Sequence, residues 1–363
     1  MRLNSLTFLT LVTALLACTL FPIPPAVGAV SLARFHLHLD GSFLAIPVTT
    51  SHSLDAKNDR VERAVIVIHG AARNSKTQHA AIRALADSAS GGTERILTAA
   101  PQFLLERDIK KWELGPEVLF WSSGWRHGNR SLDTWLHPRS ARVSSFAVLD
   151  ALIAQLTDRR VFPRLRDIVV VGHSAGGQFV NRYAAGTRVD ELHASHRFRY
   201  VVANPSSYLY FDDRRRVEGS TDRFATPRLG ERADCGGFNA YKYGIRDLNR
   251  YMLAAGSNAL IQRYAERNVI YLLGREDTLD SHWMDESCAA RLQGGSRLER
   301  GTVYFNYLRH FFGDALLERQ AVRVVEGVGH DFSGIYASEV GLETLFDAPR
   351  PPLAPVAAPP AER

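Results

Sequence analysis

Six short apolar runs, separated by longer helical or polar stretches, constrain the possible fold of this sequence more than any other feature. The runs lie at Ala64–Ile68, Arg95–Ala100, Asp167–Val171, Tyr200–Ala203, Val269–Leu273 and Val322–Val325. A strand that is apolar along its length is buried on both faces of a sheet. The stretch Ser140–Leu156 carries apolar residues at helical spacing. The sequence therefore predicts an α/β fold with a mostly parallel central sheet and helices on both of its faces.

An alternating segment precedes these runs. Ser31–Leu39 alternates apolar and polar residues, and Asp40-Gly41 is a typical turn pair, so we expect a hairpin. His36 and His38 lie two residues apart on one strand and could bind zinc, and the segment resembles the first metal-binding strand of adenosine deaminases. The later Asp-Asp motif of that family is missing from the sequence, so we predict a hairpin without a metal site.

Both ends of the chain differ in composition from the part between them. Residues 1–29 combine one basic residue, a long apolar run, prolines and a small-residue cleavage site, which together are typical of a signal peptide. Residues 348–363 are rich in proline and predict an extended tail without regular hydrogen bonding. We therefore expect an exported protein, secreted or periplasmic, with one folded domain over residues 30–347. A lipoprotein anchored at Cys18 is the alternative.

Charge and hydropathy exclude several kinds of partner. The chain has 44 Lys and Arg residues against 38 Asp and Glu residues, and the basic residues are scattered among the acids. A nucleic-acid-binding protein usually carries a basic stripe or a recognition motif, so we expect no nucleic-acid partner. The only apolar run close to the length of a membrane span lies in the first 29 residues. We therefore expect no stable membrane insertion after the signal peptide is removed.

The motif Gly172-His173-Ser174-Ala175-Gly176 joins a buried strand to a helical stretch. This is G-x-S-x-G in its required context, in which the two glycines allow a sharp turn that projects the serine at the carboxyl edge of the sheet. The helix N-terminus beside the serine favours developing negative charge. A phosphate-binding loop is less consistent with the sequence, since no Lys starts the helix and no G-x-G-x-x-G is present. The motif predicts that Ser174 is a nucleophile.

A nucleophilic serine needs a base, and the base needs an orienting carboxylate. Asp277 follows the run Val269–Leu273, and His330 follows the run Val322–Val325. Because the carboxyl ends of parallel strands meet at one sheet edge, we predict a triad of Ser174, His330 and Asp277. Glu276 and Asp280 are rival candidates for the acid.

A tetrahedral intermediate needs backbone donors aimed at its oxyanion. The first predicted donor is the N–H of Ala175, directly after the nucleophile. The second lies in the loop that follows the strand at Ala64–Ile68, where we favour the N–H of Ala71 over that of Ala72. His69 and His173 are expected to brace these loops rather than to act as bases.

The motifs together resemble the α/β-hydrolase superfamily over about Val61 to Phe332. Segments similar to a group of secreted bacterial and fungal serine esterases or lipases are Gly172–Gln178, Asn204–Tyr208 and Ser287–Ala290. The sequence departs from lipases with a His-Gly-Gly-Gly oxyanion loop, because Ala71 and Ala72 follow Gly70. The resemblance implies an α/β-hydrolase fold with a long insertion, about residues 205–267, before the acid-bearing strand.

These features favour an exported serine hydrolase that cleaves small or medium carboxylic esters through an acyl-enzyme. No cofactor and no metal are implied. A peptidase or amidase with the same triad is the first alternative. A non-catalytic binding module on the same fold is the second, and the intact set of Ser174, His330 and Asp277 argues against it. The composition does not indicate an oligomeric state.

Two long connections carry further expectations. The segment Phe103–Pro138 and the insertion are rich in aromatic residues, and ligand sites are commonly lined by such rings. We expect at least one of Trp121, Trp125 and Tyr208 to line the substrate pocket, the alternative being that these rings only pack the connections onto the body.

Cysteine usage predicts one covalent link. If Cys18 leaves with the signal peptide or carries a lipid, Cys235 and Cys288 remain as a pair. An exact pair in an exported chain favours a disulfide over two free thiols. This bond would hold the insertion beside the loop that carries Asp277.

Overall fold

The computed structural model describes residues 33–39, 41–89, 92–229, 235–278 and 283–346. The predicted signal peptide, the lipid-anchor alternative at Cys18, the proline-rich tail and the rival acid Asp280 lie outside the described residues. Among the described helices, none is long and apolar enough to cross a membrane.

The described strands form one large sheet and one small ribbon. The strands are β1 (Arg34–Leu39), β2 (Ser42–Thr50), β3 (Arg63–Ile68), β4 (Ile96–Pro101), β5 (Asp167–His173), β6 (Arg197–Ala203), β7 (Arg215–Arg216), β8 (Phe224–Ala225), β9 (Val269–Gly274) and β10 (Gln320–Val325). The large sheet has the order β1-β2-β4-β3-β5-β6-β9-β10, and β7 pairs with β8.

Helices connect most of these strands. They are α1 (Ser75–Ser88), α2 (Gly92–Arg95), α3 (Glu106–Lys111), α4 (Ser145–Leu156), α5 (Ala175–Gly186), α6 (Val189–Leu192), α7 (Arg250–Ala254), α8 (Ser257–Glu266), α9 (Cys288–Arg291), α10 (Arg297–Phe312), α11 (Phe332–Ala337) and α12 (Glu339–Phe346). Two 3₁₀ helices span Ser123–His127 and Asp314–Glu318.

The strand directions confirm the predicted mostly parallel sheet. All six apolar runs are strands of the large sheet, and β4, β3, β5, β6, β9 and β10 run parallel in that order. The hairpin of β1 and β2 adds two strands antiparallel to each other, and β2 is antiparallel to β4.

Burial on both faces explains why these strands are apolar throughout. Successive side chains of a strand point to opposite faces. In β5, Ile168 and Val170 belong to one hydrophobic cluster, whereas Val169 and Val171 belong to a second. The strand therefore lies between two cores, and a single polar residue in it would face one of them.

The N-terminal hairpin forms as expected, and its histidines lie on its exposed side. The ring of His36 stacks on Phe43 with centroids 4.8 Å apart, and the ring of His38 lies 5.1 Å from the same side chain. In the part of the chain that the structure describes, no group of three or more His, Cys, Asp or Glu residues is placed to hold a metal ion.

The long connections pack against the body near the carboxyl edge of the sheet. The first carries α3 and the 3₁₀ helix Ser123–His127, and the insertion between β6 and β9 carries β7, β8, α7 and α8. The structure joins Cys235 to Cys288 in a disulfide whose Cα atoms are 5.2 Å apart. The insertion is thereby tied to the segment that follows Asp277, as the cysteine pair predicted.

Candidate active site

Ser174 lies in a very sharp turn between β5 and α5. Its backbone has φ 58° and ψ −117°, a conformation that non-glycine residues rarely adopt. A Cβ on Gly172 would lie 2.3 Å from the carbonyl oxygen of Gly176, and a Cβ on Gly176 would lie 2.0 Å from that of Ile68. The glycines are therefore required by backbone crowding, and the crowding holds Ser174 in its strained position.

Backbone hydrogen bonds connect this turn to its neighbours. The N–H of Ser174 donates to the carbonyl of Ala203 at 2.9 Å, and the N–H of Gln178 donates to the carbonyl of Ser174 at 3.0 Å. The first bond anchors the turn to the end of β6, and the second starts α5. Ser174 remains partly exposed, so its hydroxyl is open to a substrate.

The ends of β9 and β10 meet in direct backbone contact. A Cβ on Gly274 would lie 2.4 Å from the carbonyl oxygen of Val328, and the N–H of Glu276 donates to that same carbonyl at 2.9 Å. This contact brings the two loops together. In the resulting arrangement His330 Nδ1 lies 2.7 Å from Asp277 Oδ2.

Asp277 and His330 differ in their exposure to solvent. The side chain of Asp277 is 2% exposed, whereas that of His330 is 21% exposed. Among the described residues, no hydrogen bond joins the Ser174 hydroxyl to His330. Catalytic hydrogen bonds of this kind often tighten only when substrate binds. Glu276, the other described candidate for the acid, is exposed.

Arg297 is a neighbour of Asp277 that the sequence analysis missed. Its Nη1 lies 3.6 Å from Asp277 Oδ1, and its side chain is fully buried. The next residue, Leu298, donates its N–H to the carbonyl of Asp277 at 3.1 Å. The start of α10 therefore supports the acid by both charge and backbone. Ser296, a typical N-cap residue whose hydroxyl accepts from the N–H of Glu299, predicts where α10 begins, but no local sequence signal predicts its contact with Asp277.

His173 lies directly against His330, with ring centroids 4.5 Å apart. Burial first, and then the charges of His330 and Arg297, hold the pKa of His173 well below its usual value. His173 is therefore neutral at pH 7. The side chain of Asn204 braces this ring. Its Nδ2 lies 3.3 Å from His173 Nε2, and its Oδ1 accepts a hydrogen bond from the N–H of Gly274 at 2.9 Å.

The loop after β3 approaches Ser174, as required if it supplies the predicted oxyanion donor. A Cβ on Gly70 would lie 4.0 Å from Ser174 Cβ. In the described part of the chain, neither Ala71 nor Ala175 donates its N–H to another protein group. Both donors are therefore available to a ligand, and so is that of the second choice, Ala72.

His69 fixes the oxyanion loop in place as a neutral ring. The N–H of Phe103 donates to His69 Nε2 at 3.0 Å, and His69 Nδ1 lies 2.9 Å from the carbonyl of Gly70. Burial is the main cause that lowers the pKa of His69 to about 4. Arg73, further along the loop, binds the carboxylate of Asp108 on α3 through two nitrogens at 3.2 and 3.1 Å.

The three aromatic residues expected near the pocket are all buried. Trp121 donates its indole N–H to the carbonyl of Val143, and Tyr208 stacks on Tyr304 at 4.4 Å. Trp125 lies 4.5 Å from the ring of His69, which makes it the member nearest to the oxyanion loop. These contacts are packing contacts, and a role for any of the three in lining a pocket stays a prediction.

The strand order and the sharp turn at the carboxyl end of β5 define the α/β-hydrolase fold. The sequence matches no protein-family model and no curated protein. Solved structures do match. One is LpqC, a poly(3-hydroxybutyrate) depolymerase from Bordetella parapertussis, with 21% identity and a TM-score of 0.55 over 87% of this chain and 90% of that chain.

A second similar structure is poly(aspartic acid) hydrolase-1 from Sphingomonas sp. KT-1. It has 21% identity and a TM-score of 0.58, over 86% of this chain and 97% of that chain. The described architecture thus extends over nearly the full length of both proteins, and the shared feature at this level of identity is the fold.

Proposed function

We propose that this protein is a serine hydrolase that cleaves carboxylic esters. The observation that carries the proposal is the 2.7 Å contact between Asp277 and His330, formed at the sheet edge where the strained turn presents Ser174. A nucleophile, a base and an orienting carboxylate at one edge are the groups that acyl transfer requires.

In the proposed reaction, Ser174 attacks the ester carbonyl while His330 accepts its proton through Nε2. His330 Nδ1 donates to Asp277, which fixes the tautomer and stabilises the imidazolium that forms. The oxyanion accepts from the N–H groups of Ala175 and Ala71. His330 then protonates the departing alcohol, and water attacks the acyl-enzyme to release the acid.

The surroundings of the pair support these roles. Arg297 provides a buried guanidinium whose Nη1 lies 3.6 Å from Asp277 Oδ1, so the carboxylate has a charged partner besides His330. His173 is neutral against the ring of His330, so this ring adds no positive charge to oppose the developing imidazolium. The helix dipole of α5 points its positive end at the same region.

The similar structures bear on the choice of substrate. One is named for hydrolysis of poly(3-hydroxybutyrate) and the other for hydrolysis of poly(aspartic acid). Both names describe hydrolysis of a carboxylic acid derivative, which supports the reaction type proposed here. We favour small or medium esters, because amide cleavage also requires that His330 protonates an amine as it leaves.

We also propose export and a three-part chain. Residues 1–29 would act as a signal peptide, 30–347 as the catalytic domain and 348–363 as a tail, which places the mature protein outside the cell or in the periplasm. The disulfide between Cys235 and Cys288 supports this location, since disulfides persist in oxidising compartments.

The test compares ester and amide cleavage by the purified protein. Short p-nitrophenyl esters and the matched p-nitroanilides are assayed for kcat/KM, with Ser174→Ala as the control for background hydrolysis. We expect a clear preference for esters that disappears in the control. A preference for anilides would change the assignment from esterase to amidase. Turnover by folded Ser174→Ala protein equal to that of the wild type would refute the proposed function.

A further inference from the structure

Three basic side chains gather beside the helix that follows the nucleophile. Arg182 lies on α5, Lys242 lies in the insertion, and Arg126 lies in the 3₁₀ helix Ser123–His127. Arg182 Nε donates to the carbonyl of Lys242 at 3.0 Å, and Lys242 Nζ lies 2.7 Å from a carboxylate oxygen of Asp285. The cluster therefore joins the insertion, the nucleophile helix and the segment after Asp277.

The position of Arg126 follows from its two neighbours in the chain. Before it, Trp125 packs on His69, which holds the oxyanion loop. After it, His127 faces Gln178, one helical turn beyond Ser174. The segment that carries Arg126 thus contacts both the loop after β3, through Trp125, and the first turns of α5, through His127.

The cluster has more positive than negative charge. Asp285 is the carboxylate that acts on all three cations. Burial opposes its ionisation, but Lys242 and the hydroxyls around it hold the pKa of Asp285 well below its usual value. Burial first, and then the three cations, hold the pKa of His127 well below its usual value, so this ring adds no charge. Among the described residues of this cluster, three cations face one carboxylate, which leaves a net positive charge.

Arg126 differs from the other two cations in what it can still bind. Arg182 is fully buried and donates to Gln178 and Ser207, and Lys242 is paired with Asp285. Arg126 Nε donates to the carbonyl of Ser123 at 3.0 Å, but in the described part of the chain its two terminal nitrogens have no hydrogen-bond partner. The residue is also partly exposed. A guanidinium in this state presents a fork that matches a carboxylate.

We propose that Arg126, supported by the charges of Lys242 and Arg182, binds a carboxylate of the substrate, so that the preferred esters carry a second, ionised carboxyl group. The inference rests on the proposed function and names the substrate class for that site. The ion pair between Asp285 and Lys242 holds the Lys242 ammonium group in place, while Arg126 contacts the substrate carboxylate.

The test uses two matched pairs of esters. Monomethyl glutarate and methyl pentanoate differ by a carboxylate in place of a methyl group on the acyl side. In the second pair, the anion of 4-acetoxybutanoic acid is compared with butyl acetate, and the two differ in the same way on the alcohol side. Hydrolysis is monitored by titration of the acid that is released. The measured quantity is the ratio of kcat/KM between the charged and the neutral member of each pair.

The wild type is expected to favour the charged member of at least one pair by roughly 10- to 100-fold, the range for a hydrogen bond to a charged group. The ratio should fall with added NaCl. Arg126→Gln is expected to lower it about tenfold or more, and Arg126→Lys to lower it less. Arg130→Gln, an exposed arginine in the same connection, removes the same charge and should leave the ratio unchanged.

Because the ratio is taken within one protein, a loss of folded protein in a variant cancels from it. Ratios near one in both wild-type pairs, or a ratio unaffected by Arg126→Gln, would overturn the carboxylate site while leaving ester hydrolysis intact. If the wild type cleaves none of the four esters, nor the p-nitrophenyl esters, the proposed function itself is wrong.

Discussion

The turn at Ser174 and the loops with Asp277 and His330 lie at the same sheet edge but are held by different forces. The turn at Ser174 is fixed by backbone crowding, in which Gly172 and Gly176 leave no room for a Cβ. The loops with Asp277 and His330 also meet in close backbone contact at Gly274, but their two side chains are held by their 2.7 Å contact and by the buried charge of Arg297. The position of Ser174, the crowded half of the site, thus depends on shape, whereas the positions of the Asp277 and His330 side chains, its polar half, depend on polar contacts.

The difference determines how each half should respond to mutation. Backbone crowding leaves no graded response, because any added atom must displace the backbone of a strand or of α5. Polar contacts can be weakened one at a time, and each loss acts on chemistry before it acts on folding.

The largest expected effect falls on Asp277. Asp277→Asn keeps the shape of the side chain but does not hold the imidazole in the required tautomer, so kcat should fall by roughly 10³–10⁴. Glu276→Gln is the matched control, because Glu276 is exposed one residue earlier, and it should change kcat by less than about twofold. If Asp277→Asn leaves the rate unchanged, the acid must be sought elsewhere, Asp280 included.

The crowded half is tested by stability. Gly176→Ala places a Cβ against the carbonyl oxygen of Ile68 and should lower the free energy of unfolding by about 3 kcal/mol or more. Gly237→Ala is the control, since no atom lies within 4 Å of its added Cβ, and it should change stability by less than about 0.5 kcal/mol. Urea unfolding measures both. Equal stabilities of the two variants would show that crowding does not hold the turn.

The oxyanion loop should make stability depend on pH. The folded pKa of His69 is about 4 and its ordinary value is 6.5, so the unfolded chain binds the proton first as the pH falls. The contribution of the neutral His69 ring to the free energy of unfolding is complete above pH 6.5 and is lost between pH 6.5 and pH 4. About 2 kcal/mol of it is lost between pH 7 and pH 5. Protonation would also remove the acceptor that holds Phe103.

His69→Gln should therefore lose less stability than the wild type between pH 7 and 5, when urea unfolding is measured at both values. His36→Gln, at an exposed position of β1, is the control and should follow the wild type. If the wild type and His69→Gln lose stability in parallel, His69 is not held neutral by the fold.

The sequence predicted the elements that depend on local pattern. The six apolar runs are strands of the sheet because burial on both faces requires continuous apolar residues, and the turn at Ser174 follows from the spacing of two glycines. The proximity of Asp277 and His330 followed from strand order, since both residues come directly after parallel strands.

The parts that the sequence did not predict depend on contacts between distant segments. Arg297 lies beside Asp277 because the start of α10 folds back onto the loop after β9, and Arg126 lies beside the insertion because the connection Phe103–Pro138 folds back onto the sheet edge. An aromatic residue in a connection has no local signal that separates a buried position from a pocket wall. Trp121 and Tyr208 are buried in the structure, although the aromatic composition of the two long connections was equally consistent with a pocket.

The central claim is that Ser174 is a nucleophile activated by His330. A fluorophosphonate probe reacts with an activated serine, and peptide mass spectrometry identifies the residue that it modifies. We expect one adduct on the folded wild-type protein, located at Ser174, absent from Ser174→Ala and strongly slowed in His330→Ala. An adduct on another residue, or no adduct on folded wild-type protein, would contradict this account of the site.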